Sequence, residues 1–177
     1  MPMSIDTPDR RVLEDVILPA FAARADLRRV LWVGCEPYTA HYRRFFRGHE
    51  YWTIEPAWKN RLYGARRHVT DTLENLQCHF GTDSLDLILC NGVCGWGLDR
   101  REDAEVAFAR CFDALRPGGE LLLGWNDLDP WRPYRPEDIA SLQRFRPRNF
   151  EPLGTWHYPV EGEYRHVFNF YEKPGAI

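Results

Sequence analysis

Gly34 and Glu55 are the residues whose spacing first suggests chemistry. Gly34 ends the apolar run Val30-Leu31-Trp32-Val33. Glu55 ends a second β-forming run, Tyr51-Trp52-Thr53-Ile54, about twenty residues further on. A carboxylate delivered to the end of a strand can accept hydrogen bonds from two adjacent hydroxyls of a ribose. The stretch therefore predicts a buried strand, a tight turn, a short helix and a second strand, the layout of a ribose-binding Rossmann-type half. Further polar and aromatic residues follow other strand-like runs: Asp71, Asn91, Trp96, and Trp125 with Asn126. The carboxyl ends of strands are where open α/β sheets bind ligands.

The elements that must position these residues can be read in order. After a loose tail over about residues 1–6, Thr7 can cap a helix that has Pro8 at its first position. Val12, Val16, Ile17, Ala20 and Phe21 fall on one face of it, and Pro19 predicts a kink or an early end. Thr39 to Phe46 reads as the short helix after strand 1, broken by Arg47-Gly48. His68-Val69-Thr70 is a short third strand, and Thr72 to Phe80 holds a helical turn or two. Leu85 to Cys90 is a clear fourth strand after the turn cluster Gly81 to Ser84. Asp99 and Glu102 suggest a capping box for a helix with the apolar stripe Ala104, Phe108, Cys111, Phe112 and Leu115. Arg116-Pro117-Gly118-Gly119 stops it before strand 5, Glu120 to Trp125.

Residues 127–149 form a connection rich in proline and arginine, with a short helix predicted over Asp138 to Phe145 and some lid character. Phe150 to Tyr158 and Arg165 to Tyr171 read as the last two strands, turned by Glu161-Gly162-Glu163. Strands and helices alternate until that final pair, so the expected class is α/β with an antiparallel finish.

Composition narrows the function. With 177 residues the chain fits one domain, residues 1–177, with 1–25 as tail and first helix. A net charge of −3 argues against a general nucleic-acid binder. Five cysteines without C-x-x-C spacing form no disulfide framework and suggest a reducing compartment, so the expected location is cytoplasmic. No apolar run approaches the roughly 18 residues of a membrane helix, and no signal-peptide core is evident. Cys90, Cys94, Cys78 and His79 do not have the spacing of a metal knuckle, and no metal is expected.

Three segments together resemble the class I S-adenosylmethionine-dependent methyltransferases, over roughly residues 25–173. They are V-L-W-V-G-C-E-P-Y-T at 30–39, T-I-E-P at 53–56, and S-L-D-L-I-L-C-N-G-V at 84–93 followed by F-D-A-L-R-P-G-G-E-L-L-L at 112–123. The resemblance implies a Rossmann-like three-layer sandwich with a mostly parallel seven-stranded sheet, order 3-2-1-4-5-7-6, strand 7 being antiparallel. It implies S-adenosyl-L-methionine as cofactor, bound by Gly34, Cys35, Glu36, Tyr38, Thr39, Glu55, Pro56, Thr70, Asp71, Thr72, Asn91, Gly92 and Val93. Trp96, Trp125 and Asn126 would line the acceptor pocket. The acceptor is expected to be a small molecule or one borne on a carrier or partner, with a homodimer or partner subunit able to complete the site.

The family's first turn usually carries more glycine than Gly34-Cys35-Glu36-Pro37 does. Glu36 would repel a pyrophosphate but attract the ammonium and sulfonium of S-adenosylmethionine, which has no phosphate. That weighs against an NAD-dependent oxidoreductase. It also keeps open a protein that retains the fold and serves as a binding module. Several residues have plainer readings: Asp71 as a cap of the next helix, Asn91-Gly92 as a turn, the tryptophans as core. His41 reads as a surface or capping group rather than a base, and no residue announces itself as catalytic.

Overall fold

A computed structural model describes residues 5–175. Eight strands form one sheet in the order β3-β2-β1-β4-β5-β8, with β6 and β7 sharing the outer edge of β8. The strands are β1 (Arg29–Val33), β2 (Glu50–Ile54), β3 (Arg67–Val69), β4 (Leu85–Asn91), β5 (Leu115–Asn126), β6 (Arg146–Pro147), β7 (His157–Pro159) and β8 (His166–Glu172). The first five run parallel and β8 pairs antiparallel with β5. This is the expected Rossmann-like order, with one strand more than expected. The strand expected over 150–158 is interrupted by a single helical turn, Glu151–Leu153, which ends at Gly154 with φ +68°. Only its end is a strand, β7, and the additional strand β6 falls before it, within the connection expected over 127–149.

The pleat divides the apolar residues between two faces. Leu31 and Val33 of β1, Ile88 and Cys90 of β4, and Leu121, Leu123 and Trp125 of β5 pack with Ala104, Ala107, Phe108 and Cys111 of the helix α3 (Arg101–Ala114). Val30, Trp32, Leu87, Leu89, Leu122, Phe168 and Phe170 face the N-terminal helix instead, through Leu13, Ile17, Leu18 and Phe21.

That N-terminal helix runs as α1 (Pro8–Val12), a π-helical turn (Leu13–Ile17) and α2 (Leu18–Ala22). Pro19 does not end it, since the helix continues to Ala22. The wide turn just before the proline, closed by Leu18 N–H on the Leu13 carbonyl, accommodates the missing donor. The wider turn also rotates the buried stripe to Leu13, Ile17, Leu18 and Phe21, away from the evenly spaced face expected. Thr7 is the N-cap residue but makes no side-chain cap bond.

Three other local expectations change. The helix expected over 39–46 is two single turns, Pro37–Thr39 and Tyr42–Arg44. The short helix expected over 138–145 is likewise two turns, Pro136–Asp138 and Leu142–Arg144. At α3 the N-cap residue is Arg100, and Asp99 accepts from Gly97 N–H at 3.1 Å rather than closing a capping box.

Where β4, β5 and β8 meet, the same pleat brings Asn91, Gly124, Asn126 and His166 to the face of the N-terminal helix. His166 Nε2 lies 2.9 Å from Asn91 Oδ1, and its Nδ1 lies 2.6 Å from Asn126 Oδ1. Gly124 makes room for this group: a Cβ there would sit 1.7 Å from Asn91 Oδ1 and 2.9 Å from His166 Nε2. All three polar side chains are buried, so they have little space into which to shift. Gly124→Ala should therefore destabilise the fold by about 1–3 kcal/mol. Adding Asn91→Ala should recover part of that loss. Thermal melts of the two single variants and the double variant test it; additive losses would contradict the steric account.

Candidate functional site

The chain turns sharply after β1 because Gly34 takes φ +85°, a conformation strained for any residue with a Cβ. Its N–H is held by the Ile54 carbonyl of β2 at 2.8 Å. The turn then aims Cys35 N–H at Glu55 Oε2, 3.1 Å away, while Ala57 N–H binds Glu55 Oε1 at 2.8 Å. The carboxylate is thus fixed by two backbone donors at the end of β2. A carboxylate has about four acceptor positions, so roughly two remain for a ligand.

Beyond Cys35, the hydroxyl of Thr39 bonds to both the N–H and the carbonyl of Glu36, each at 3.0 Å, and so fixes the turn. The Glu36 side chain is exposed and reaches Asn60 at 3.4 Å. Cys35 itself is buried, and burial pushes its thiol up to about 12, so it stays protonated at neutral pH.

These residues open onto a cavity of about 500 Å³ at the carboxyl edge of the sheet. Of the residues singled out in the sequence, Gly34, Cys35, Glu36, Tyr38, Thr39, Glu55, Pro56, Asp71, Thr72, Asn91, Gly92, Val93, Trp96 and Asn126 line it. Thr70 and Trp125 do not. Thr70 is exposed beyond the end of β3. Trp125 faces α3, because the pleat turns it away from its neighbour Asn126 and into the core.

Asp71 is also committed locally. Its oxygens accept from Asn75 Nδ2 and Thr72 N–H, and His79 Nε2 lies 2.8 Å from the second oxygen. Those bonds, with Asn75 first and His79 next, hold its carboxyl down at about 2. His41 lies 3.4 Å from Glu14 Oε2 and is not a lining residue. The connection over 127–149 is tied down on α3. Glu105 accepts from Ala140 and Ser141 N–H, and Arg101 donates to the Asp138 carbonyl.

The cavity also has walls that the sequence reading missed. His166 from β8, Trp32 from β1, and Thr7, Asp9 and Arg10 from the start of the N-terminal helix all line it. Arg10 donates to the Tyr42 hydroxyl at 2.7 Å, which donates on to Glu14 at 2.8 Å, and its guanidinium lies 4.6 Å from the centre of the Tyr38 ring. Trp32 is buried and its indole N–H has no partner among the described residues. A local sequence pattern signals none of these, since each reaches the cavity through tertiary packing. The one available hint was Gly124 inside an otherwise apolar strand, a sign of close approach.

Burial pushes His166 down to about 4, so its ring is neutral at neutral pH; Asp9 and Arg10 act on it with opposite sign. A neutral ring has one N–H and one lone pair, so one of the two flanking amides must turn its Nδ2 towards it.

The cavity lies at the carboxyl edge of the sheet, where open α/β sheets bind ligands. No family model and no curated protein matches the sequence. Solved structures do match. The N-methyltransferase NodS from Bradyrhizobium japonicum WM9, in complex with S-adenosyl-L-homocysteine, aligns with a TM-score of 0.71 at 15% identity, over 96% of this chain and 89% of that one. The 1,6-didemethyltoxoflavin-N1-methyltransferase of Burkholderia thailandensis aligns with a TM-score of 0.60 at 15% identity, over 98% and 93%. The [4+2]-cyclase SpnF aligns with a TM-score of 0.65 at 14% identity, over 92% and 81%. The chain therefore has the Rossmann-like fold of the class I methyltransferases. Among the described residues no helix is long and apolar enough to cross a membrane.

The buried imidazole gives a signed pH dependence. A histidine in the unfolded chain titrates near 6.5, whereas His166 in the fold titrates near 4. Between those values the unfolded chain binds more protons, so this group's contribution to stability is whole above about 6.5 and is lost as pH falls towards about 4. Urea denaturation across that window should show a shallower dependence for His166→Gln than for the natural chain; equal slopes would refute the assignment.

Proposed function

We propose that the protein is an S-adenosylmethionine-dependent methyltransferase acting on a small molecule. One observation carries this reading: Glu55, anchored by two backbone N–H groups, faces the same cavity as the Gly34 turn and the end of β4. The residues present fit the cofactor's parts. Glu55 retains acceptor capacity for the two ribose hydroxyls. Arg10 has guanidinium donors beyond the one used on Tyr42, and Trp32 has an unpartnered N–H; both suit the carboxylate of the methionine part. The turn after Gly34 lacks a helix long enough to hold a phosphate, and S-adenosylmethionine has none.

When bound, the cofactor supplies an electrophilic methyl carbon: the acceptor's lone pair forms the new bond as the carbon–sulfur bond breaks, its electron pair remaining on sulfur. The chain's own contribution is to hold and orient both partners and exclude water from the floor of the cavity. Two of the structures that share the fold are named for N-methyl transfer, one of them to 1,6-didemethyltoxoflavin, which supports the choice of a small acceptor.

A second reading, a protein that keeps the fold without methyl transfer, is favoured by the glycine-poor first turn and by the cyclase among the structural neighbours. Isothermal titration with S-adenosylmethionine and S-adenosylhomocysteine separates the two. Binding of both is expected, and Glu55→Ala should weaken each at least ten-fold, about 1.5–3 kcal/mol, without loss of the folded state. No binding of either at high micromolar concentration would sink the methyltransferase reading.

A further inference from the structure

The cavity is lined by more than the residues around Glu55. It is walled by Ile5, Thr7 and Asp9 from the N-terminal segment, Trp96 after β4, Tyr164 before β8, and the His166 group beneath. Trp96 is 59% exposed and Tyr164 37% exposed. Trp131 braces the pair: its ring stacks on Trp96 at 6.5 Å and meets Tyr164 edge-on at 5.4 Å. The bracing is built in, because Gly95 packs so closely on the Trp131 backbone that a Cβ would lie 2.3 Å from its carbonyl oxygen.

Asp9 belongs to the same lining as these rings. It is half-buried, lines the cavity, and has no side-chain hydrogen bond or ion pair among the described residues. Its neighbour Arg10 is directed elsewhere, onto Tyr38 and Tyr42. His166 is neutral and supplies no positive charge. A partly desolvated carboxylate without a partner is costly, and a bound cation relieves that cost. Aromatic faces attract the same kind of ligand.

We propose that these residues form an acceptor subsite for an amine held as its ammonium ion, with Asp9 as counter-ion and Trp96 and Tyr164 as its aromatic wall. The proposal rests on the methyltransferase reading and narrows its substrate class. Before transfer the ammonium gives one proton to solvent water, its N–H pair staying on nitrogen as the lone pair that accepts the methyl group.

The test uses three probes of similar shape and different charge: phenethylamine, 2-phenylethanol and 3-phenylpropionate. Their binding to the full chain is measured by ligand-observed NMR with S-adenosylhomocysteine at saturation. Phenethylamine should bind more tightly than the other two. Asp9→Asn should weaken it roughly ten-fold while leaving 2-phenylethanol unchanged, as expected for losing one charge-assisted contact. Trp96→Ala should also weaken the amine more than the alcohol, which keeps the proposal testable if the Asp9 variant folds poorly.

No preference for the amine, or an equal loss for all three probes, overturns the proposal while S-adenosylhomocysteine binding leaves the cofactor reading intact. Failure to bind S-adenosylhomocysteine at all sinks the cofactor reading instead, and the proposal with it. If Asp9→Asn weakens S-adenosylmethionine relative to S-adenosylhomocysteine and spares the amine, Asp9 is the counter-ion of the sulfonium, and the proposal is overturned.

Discussion

The hydrogen-bonded group of Asn91, His166 and Asn126, seated over Gly124, is the constraint on which the site depends. It lies where the parallel part of the sheet passes into its antiparallel edge, at the junction of β4, β5 and β8. The three polar side chains occupy positions where strands this apolar would otherwise place leucine or phenylalanine. Burying them is tolerable only because each ring nitrogen of His166 has an amide neighbour. The arrangement fixes β8 in one register, since a slip of one residue would send His166 to the α3 face and leave both asparagines without it. A rigid polar floor for the cavity follows from a packing requirement of the sheet.

The opposite end of the same strands is held by charge. Glu120 and Glu172, both nearly inaccessible, accept from Arg24, Arg146 and Arg148. Arg24 follows α2, so these pairs tie the end of the N-terminal helix to β5 while its beginning reaches over the cavity. Buried ion pairs add little net stability, but they are demanding about geometry. Here that demand orients the helix: with its end fixed on Glu120 and its stripe of Leu13, Ile17, Leu18 and Phe21 laid on the sheet, Asp9 and Arg10 have one place to be. The π turn before Pro19 sets the helical phase that joins those two requirements.

The parts of the site legible in the sequence are those encoded within a few residues. Gly34 and Glu55 end apolar runs, and Asn91-Gly92 follows one, so strand periodicity alone places them at the same edge. The strand order was legible only through the resemblance to the class I methyltransferases, since alternation of strand and helix by itself gives no more than an α/β sheet with an antiparallel finish. Residues contributed across the sheet were hidden. His166 begins a strand whose local pattern says only that it is apolar, and Arg10 lies on a helix whose relation to the sheet depends on distant ion pairs. Trp125 was misplaced because the pleat phase of β5 cannot be judged when the strand is apolar on both faces. The turn Glu151–Leu153 was missed because Pro152 and Gly154, which mark it, sit in a stretch whose overall apolar character reads as an edge strand.

The first turn, with its single glycine, can now be weighed physically. Extra glycines there serve a backbone that must approach a phosphate closely, and a long following helix supplies the dipole. This chain has neither: Pro37–Thr39 is one helical turn, and Glu36 stands exposed at its start. The turn instead uses its first N–H, from Cys35, to orient Glu55. That exchanges a phosphate cradle for a fixed carboxylate, which favours a ligand with hydroxyls and positive charge over one with a diphosphate. Burial keeps the Cys35 thiol protonated beside this carboxylate, so the turn adds no second negative charge at that point. The departure from a glycine-rich loop is thus consistent with binding a sulfonium nucleoside, because the features it lacks are those that a phosphate would need.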